Sequence, residues 1–282
     1  MKSQEHWDIE ISARRRLLHV DFGALWRYRD LILMFAKRDF VAFYKQTILG
    51  PLWYLLQPLF MTIVFTVVFN NIASIPTDGT PPFLFYLTGL VPWQYFAACM
   101  TKTSDTFVAN AGIFGKVYFP RLAVPVAVVI TNMLAFIIQF MLVAAFLVIF
   151  AWRGATVEPN TWLLVLPLLL VQMALLGLGM GTLLSSLTTR YRDLTFVVTF
   201  GTQLWMFATP VVYPLSQVPE RWHWLLGLNP MTAVVEIFRK ALLGAGTVNT
   251  GELATSVLVT ILILFTGLTL FTRVERTSMD TV

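Results

Sequence analysis

Polar positions along this sequence are interrupted by long apolar blocks. From Gln46 to Thr77, Gly79 to Thr101, Leu122 to Trp152, Pro159 to Thr189, Leu194 to Pro219 and Leu253 to Thr272 there is no Asp, Glu, Lys or Arg. A helix needs about 20 apolar residues to cross a bilayer, and each block is long enough. The pattern predicts an all-α polytopic membrane protein with six transmembrane helices. Their expected extents are 52–72, 83–103, 122–150, 161–188, 194–213 and 253–271.

Details inside the blocks refine the picture. Gly50-Pro51 opens the first span and Pro58 lies within it, so a local bend is expected. Pro92 interrupts the second. In the fourth, Gly177, Gly179 and Gly181 form a small-residue ridge where another helix can approach closely. The alternative is that these glycines only loosen the helix.

The polar segments are equally patterned. Residues 1–20 read as poorly ordered. Residues 22–45 predict an amphipathic helix: Trp26, Leu33, Phe40 and Tyr44 share a face, with Leu25, Ile32, Ala36 and Phe43 beside them. Arg27, Asp30, Lys37, Arg38 and Lys45 lie on another face. This suits a helix in the membrane interface, or a plain helix packed on a partner. The chain therefore divides into an N-terminal segment, 1–45, and a six-span domain, 46–282.

Ser104 to Arg121 is too polar and too short to span. It predicts a short surface helix ended before Pro120. Thr189-Arg-Tyr-Arg-Asp193 predicts a tight turn. Between Pro214 and Gly251 the chain is broken by Pro219, Gly227 and Asn229-Pro230. A helix is expected over Met231 to Leu243, capped by Asn229 or Thr232. The region reads either as short re-entrant or gate helices between spans five and six, or as a surface loop anchored by Trp222 and Trp224.

Composition sharpens the class. Only 12% of the 282 residues are charged and 57% are hydrophobic; a soluble domain carries about twice that charged fraction. The single Cys99 excludes an intramolecular disulfide. The polar 1–45 segment is no secretory signal peptide. The net charge of +5 is unevenly placed. With six spans, every Lys and Arg except Arg153, Arg221, Arg239 and Lys240 falls on the side of the termini. That asymmetry predicts cytoplasmic termini and favours anionic lipid over nucleic acid as the partner of these cations.

The missing chemistry matters as much. The cores of the spans hold no ionisable acid, base or histidine; His6, His19 and His223 lie outside them. Ion-coupled transport and membrane-embedded catalysis both lose ground on that account. No metal-ligand cluster and no Gly-x-x-x-x-Gly-Lys-Ser/Thr loop occurs. No catalytic, cofactor or metal residue is expected in this chain, and any work it does draws on another polypeptide. The aromatic residues Trp53, Tyr54, Phe60, Phe65, Phe69, Trp93 and Tyr95 are candidates to line a path for a glycan, since aromatic faces stack on sugar rings. The competing reading is lipid-facing Phe and interfacial Trp and Tyr.

Six strings occur in order: Gly50-Pro-Leu-Trp-Tyr-Leu-Leu-Gln-Pro58, Gly89-Leu-Val-Pro-Trp-Gln-Tyr-Phe96, Lys116-Val-Tyr-Phe-Pro-Arg121 followed by Pro125, Arg190-Tyr-Arg-Asp193, Thr209-Pro-Val-Val-Tyr-Pro214 and Asn229-Pro-Met231. Together, over about residues 25–272, they resemble the permease subunit of type-2 ATP-binding-cassette exporters. The branch resembled exports lipid-linked O-antigen, capsule or teichoic-acid polysaccharides. The resemblance implies a homodimer in the bacterial inner membrane with a path at its interface, and two copies of a separate ATPase that hold MgATP. It implies that Asn110, Ile113, Phe114, Lys116 and Val117 contact that ATPase. It makes 22–45 the interface helix, and 214–243 the outer gate with Tyr213, Pro214, Trp222, Trp224 and Pro230. Arg27, Arg29, Lys37, Arg38 and Lys45 would meet the phosphates of an undecaprenyl-diphosphate anchor, or simply lipid headgroups.

Two other functions remain open at this stage. One is a related permease for drugs or small lipids. The other is a membrane-bound glycan transferase, for which Asp105, Asp193, Glu236 and His223 are the scattered candidates. Glu236 with Arg239 and Lys240 reads as ordinary i,i+3 and i,i+4 helix pairing.

Overall fold

The computed structural model describes residues 22–277 apart from 46, 156, 190, 192 and 248; the polar residues 1–20 and the two arginines of the 189–193 turn lie outside the described residues. All regular structure among the described residues is helical. The chain begins with α1 (Phe22–Arg27) and α2 (Arg29–Lys45), joined almost without a break at Tyr28. Then come α3 (Trp53–Phe65), α4 (Pro82–Ser104), and two single turns, α5 (Thr106–Ala109) and α6 (Ala111–Phe114). The second half holds α7 (Ala123–Trp152), α8 (Leu166–Thr188), α9 (Leu194–Phe207), α10 (His223–Leu228), α11 (Pro230–Leu243) and α12 (Thr250–Thr277).

Five segments are long and apolar enough to cross a membrane: Gly50–Ile72, Pro82–Ser104, Ala123–Trp152, Thr161–Thr188 and Thr250–Glu275. Helix α9 has only 14 residues, or about 21 Å at the helical rise. It therefore does not reach the expected limit of 213. The chain breaks at Thr209-Pro210, where proline removes a backbone donor. Even so, α9 runs between the two ends of the bundle. Thr195 Oγ1 donates to Asp105 Oδ1 (3.5 Å) at one end, and Thr209 Oγ1 accepts from Asn229 Nδ2 (2.8 Å) near the other.

Helix α4 is the axis of the bundle. It is buried nearly all round, with Leu84, Leu87, Phe96 and Cys99 fully enclosed, and it packs against α3, α7, α8, α9 and α11. The apolar pattern of α4 gives it no solvent face, as expected of a helix surrounded by others. The outward faces of α3, α7, α8, α9 and α12 present large apolar side chains such as Phe60, Met141, Leu168, Phe200 and Phe265. Lipid is the solvent that such a surface requires.

The glycine ridge of α8 forms two close crossings, as its spacing suggests. A Cβ on Gly181 would sit 2.5 Å from Thr103 Cβ of α4, and one on Gly177 would sit 2.6 Å from Cys99 Cβ. Gly179 faces the other way and meets α12 at Leu264 and Gly267. Small residues at helix crossings bring backbones into contact, and this packing replaces the hydrophobic drive that lipid removes.

In the first span Pro58 lies inside α3. Thr62 Oγ1 donates to Pro58 O (2.7 Å) one turn back, the bond a threonine hydroxyl makes inside a helix. From Thr66 to Ile72 the turns widen into a π-helix.

Candidate functional site

One end of the bundle gathers α1, α2, the α5–α6 segment and the final turns of α12. Helix α2 buries Ile32, Phe35 and Ala36 against Phe119, Ala123, Val124 and Ala127 at the start of α7. Thr131 Oγ1 also donates to Ala36 O (3.3 Å). The two apolar stripes read from the sequence thus separate. The Leu25–Ile32–Ala36 stripe packs on the bundle, while Trp26 (70% exposed), Leu33 and Met34 remain open. Arg27, Arg29, Lys37, Arg38 and Lys45 are all exposed beside them. The Arg29 guanidinium lies 5.6 Å from the centre of the Trp26 ring, and Arg38 covers Phe35 at 4.9 Å. Cations and aromatic rings sharing one open face fit the headgroup layer of a membrane.

The α5–α6 segment is two helical turns broken at Asn110, not one continuous helix. Asn110 Nδ2 donates to Thr106 O (3.0 Å), and the backbone turns there. Ile113 and Phe114 are half-buried and face inward. Phe114 contacts Phe107 (5.9 Å between ring centres) and Phe119 (5.7 Å), with the Arg121 guanidinium over it at 5.3 Å. Val108, Lys116, Val117 and Tyr118 point outward; Val117 and Tyr118 are 59% and 68% exposed. Asn110, Ile113 and Phe114 therefore shape the platform, while Lys116 and Val117 sit on its open surface.

The platform is bolted to the last helix, which the sequence did not indicate. Phe271 stacks on Phe107 (4.7 Å between ring centres). The Arg121 backbone N–H donates to Glu275 Oε1 (3.1 Å), and the Arg121 side chain reaches Glu275 O (3.4 Å).

The opposite end gathers the loop 73–81, the segment 208–229 and α11. Asn229 is the cap of α11: its Oδ1 accepts from Met231 N (3.1 Å) and from Trp205 Nε1 (3.2 Å). Its Nδ2 donates to Thr209 Oγ1 (2.8 Å) and Ala208 O (3.3 Å). One side chain thus ties the start of α11 to the end of α9. Helix α11 stops at Gly244, whose φ of 75° suits the left-handed position after a helix. Ser256 Oγ of α12 accepts from Gln172 Nε2 (2.6 Å) and donates to Pro230 O (2.7 Å), which joins α8, α12 and α11.

At the centre of this end lies Arg239, 1% exposed. Its Nη1 donates to Pro210 O (2.5 Å) and contacts Glu236 Oε1 (3.3 Å); its Nη2 donates to Val211 O (2.6 Å). The guanidinium lies flat on Phe85 at 3.6 Å, directly beside Gly89. Glu236 Oε2 accepts from Thr247 N (3.1 Å). The i,i+3 pairing read from the sequence is present, but it is buried, not an ordinary surface pair. Burial raises the Glu236 carboxyl above its usual range, and the Arg239 charge pulls it back. The broken helix at Thr209-Pro210 exposes carbonyls with no helical donor, and the planar fork of arginine satisfies two at once.

The expected gate residues take varied places here. Pro214 and Pro230 are buried, Tyr213 is half-buried, and Trp222 and Trp224 are exposed at 47% and 66%. Among the path candidates, Trp53 and Phe60 are exposed, and Phe69 is half-buried against Phe207. Tyr54, Phe65, Trp93 and Tyr95 are buried within the subunit. Trp93 packs on Phe96 and Trp205, and Tyr95 on Phe136, so in this conformation they hold the core.

A lipid-facing bundle, a platform at one end and a polar hub at the other define a multi-pass membrane transport protein. The chain belongs to the ABC-2 type transporter family, whose model matches residues 30–243. It is similar to an O-antigen export system permease protein RfbA of Klebsiella pneumoniae, 26% identical over 246 residues, covering 87% of this chain and 92% of the relative. A protein of the same name from Myxococcus xanthus is 29% identical over 218 residues, 76% of this chain and 81% of that one. The polysialic acid transport protein KpsM of Escherichia coli is 27% identical over 232 residues, covering 81% and 87%.

Proposed function

We propose that this chain is the transmembrane subunit of an ATP-driven exporter that moves a lipid-linked polysaccharide, O-antigen-like and anchored on undecaprenyl diphosphate, to the outer side of the bacterial inner membrane. The observation that carries this reading is similarity, over most of both lengths, to polysaccharide export permeases from three genera. In this reading α9 counts as a fifth of six spans, since its polar ties reach both ends of the bundle. Both termini lie in the cytoplasm, residues 1–45 carry the interface helix, and residues 46–282 form the export domain. Two copies of the chain flank the path, above two copies of an ATPase that holds MgATP. The short helices between α9 and α12 form the outer gate.

The platform α5–α6 is the surface that ATPase engages. Its open side chains, Val108, Val117 and Tyr118, are apolar and uncovered, which supports a protein partner docking there. Deleting the gene is expected to remove surface polysaccharide and leave glycan on the inner leaflet, with the wild-type chain restoring export. Val117→Asp is expected to insert normally, to lose co-purification with the ATPase and to restore little or no export. Undiminished surface polysaccharide in the deletion strain would refute the reading. Retained ATPase binding by Val117→Asp would refute the docking surface.

The cation face of α1 and α2 receives the anchor's phosphates. Replacing Arg27, Arg29, Lys37, Arg38 and Lys45 together by Gln is expected to cut export several-fold while ATPase co-purification is unchanged. Export at the wild-type rate, measured as surface polysaccharide per unit of protein, would leave these residues only as lipid anchors.

A further inference from the structure

At the outer mouth, the loop 73–81 and the turn 213–219 enclose an open pocket of about 420 Å³. Ser74, Ile75 and Pro76 form one wall; Tyr213, Gln217 and Pro219 form the other. Its volume falls among small-ligand clefts, about 300–1,000 Å³. The two walls are built rather than accidental. Ser216 Oγ donates to Asp78 Oδ1 (2.7 Å), clasping turn to loop. Thr77 and Thr80 exchange hydrogen bonds with each other's carbonyls (2.7 Å each), fixing the loop internally.

The backbone adds an independent signal. Ser74 and Asp78 have φ of 56° and 48°, the two non-glycine residues with positive φ among those described. One lines the pocket and the other makes the clasp. The two left-handed residues turn the chain so that Ser74 reaches the pocket wall and Asp78 reaches Ser216.

The lining indicates the ligand. It contains no charged residue, so it offers no counter-charge to a phosphate. It combines apolar surface from Ile75, Pro76 and Pro219 with one aromatic ring and one amide. A pyranose has matching features: a C–H face that packs on a ring, and a rim of hydroxyls that an amide both donates to and accepts from.

Resting on the export reading above, we propose that this pocket is an exit subsite for one or two neutral sugar units of the emerging polysaccharide, with Tyr213 under the ring and Gln217 bonded to its hydroxyls. The test uses the full chain with its ATPase in cells. A photo-reactive benzoyl-phenylalanine is placed at Ile75 or Val218, which line the pocket without a role in the proposed contact, and at the exposed Trp152 as control. After irradiation the chain is purified under denaturing conditions and its adducts are stained for periodate-oxidised sugar. Heterogeneous glycan adducts are expected at Ile75 and Val218, none at Trp152, and none anywhere when the ATPase cannot hydrolyse ATP. Adducts of lipid, adducts of a second copy, or no adduct, in cells with normal surface polysaccharide, overturn the subsite and leave the export reading standing. Surface polysaccharide that persists without the gene overturns the export reading instead.

Discussion

Arg239→Met is expected to abolish export and to leave little folded protein in the membrane. The side chain serves three elements at once: the carbonyls of Pro210 and Val211 where α9 breaks off, the carboxylate of Glu236 on its own helix, and the ring of Phe85 on α4. Methionine fills similar space but donates nothing. Glu236 would then be a buried carboxylate whose remaining hydrogen bond comes from the Thr247 backbone. Breaking a buried pair from one side costs on the order of 3–5 kcal/mol, a large share of typical folding stability. Arg239→Lys is expected to fall between, because an ammonium keeps the charge but lacks the two separate nitrogens that reach the Pro210 and Val211 carbonyls. Adding Glu236→Leu to Arg239→Met should recover part of the loss, since the stranded charge goes with it. Thermal unfolding of the purified subunit in detergent ranks the four proteins. An Arg239→Met variant that melts with wild type would show the hub to be dispensable.

Gly267→Ala is expected to be the most damaging single-methyl change in the chain. The added Cβ would overlap the Gly179 carbonyl oxygen of α8 and lie 2.7 Å from Thr182 Oγ1. From the other side, a Cβ on Gly179 would meet Leu264 Cα at 2.6 Å. Both neighbours are backbone, so relief requires the helices to separate. Overpacking of this kind costs about 1–3 kcal/mol, and more where backbone must shift. Gly201→Ala in α9 is the control. Nothing lies within 4 Å of its Cβ position, so alanine there should be neutral or better by up to about 1 kcal/mol. Equal melting temperatures for Gly267→Ala and Gly201→Ala would contradict the crossing.

The spans were legible because lipid imposes a coarse rule that single residues can break. Expected extents of 83–103 and 122–150 stand close to Pro82–Ser104 and Ala123–Trp152. The last helix runs on to Thr277, beyond the expected 271, because Glu275 finds a partner in Arg121. The glycine spacing in α8 also translated directly into crossings, since a missing side chain needs no particular neighbour to be informative.

What stayed hidden depends on contacts distant in the chain. Arg239 looked like an outer-loop cation because the carbonyls it serves lie 29 and 28 residues away. The α5 and α6 turns are too short to show a periodicity, so the inward aim of Ile113 and Phe114 comes only from Phe107, Phe119 and Arg121 packed around them. Trp93 and Tyr95 sit on a helix that is apolar all round. Such a helix carries no mark of which side faces a path and which faces the core.

Helix α12 is held at three places. Its last turns lock onto Phe107 and Arg121, its middle is seated against Gly179, and its first turns are fastened through Ser256 to the start of α11. A continuous 28-residue helix fastened in this way makes the platform, the α8 crossing and the start of α11 one mechanical unit, because no backbone joint separates the three attachments.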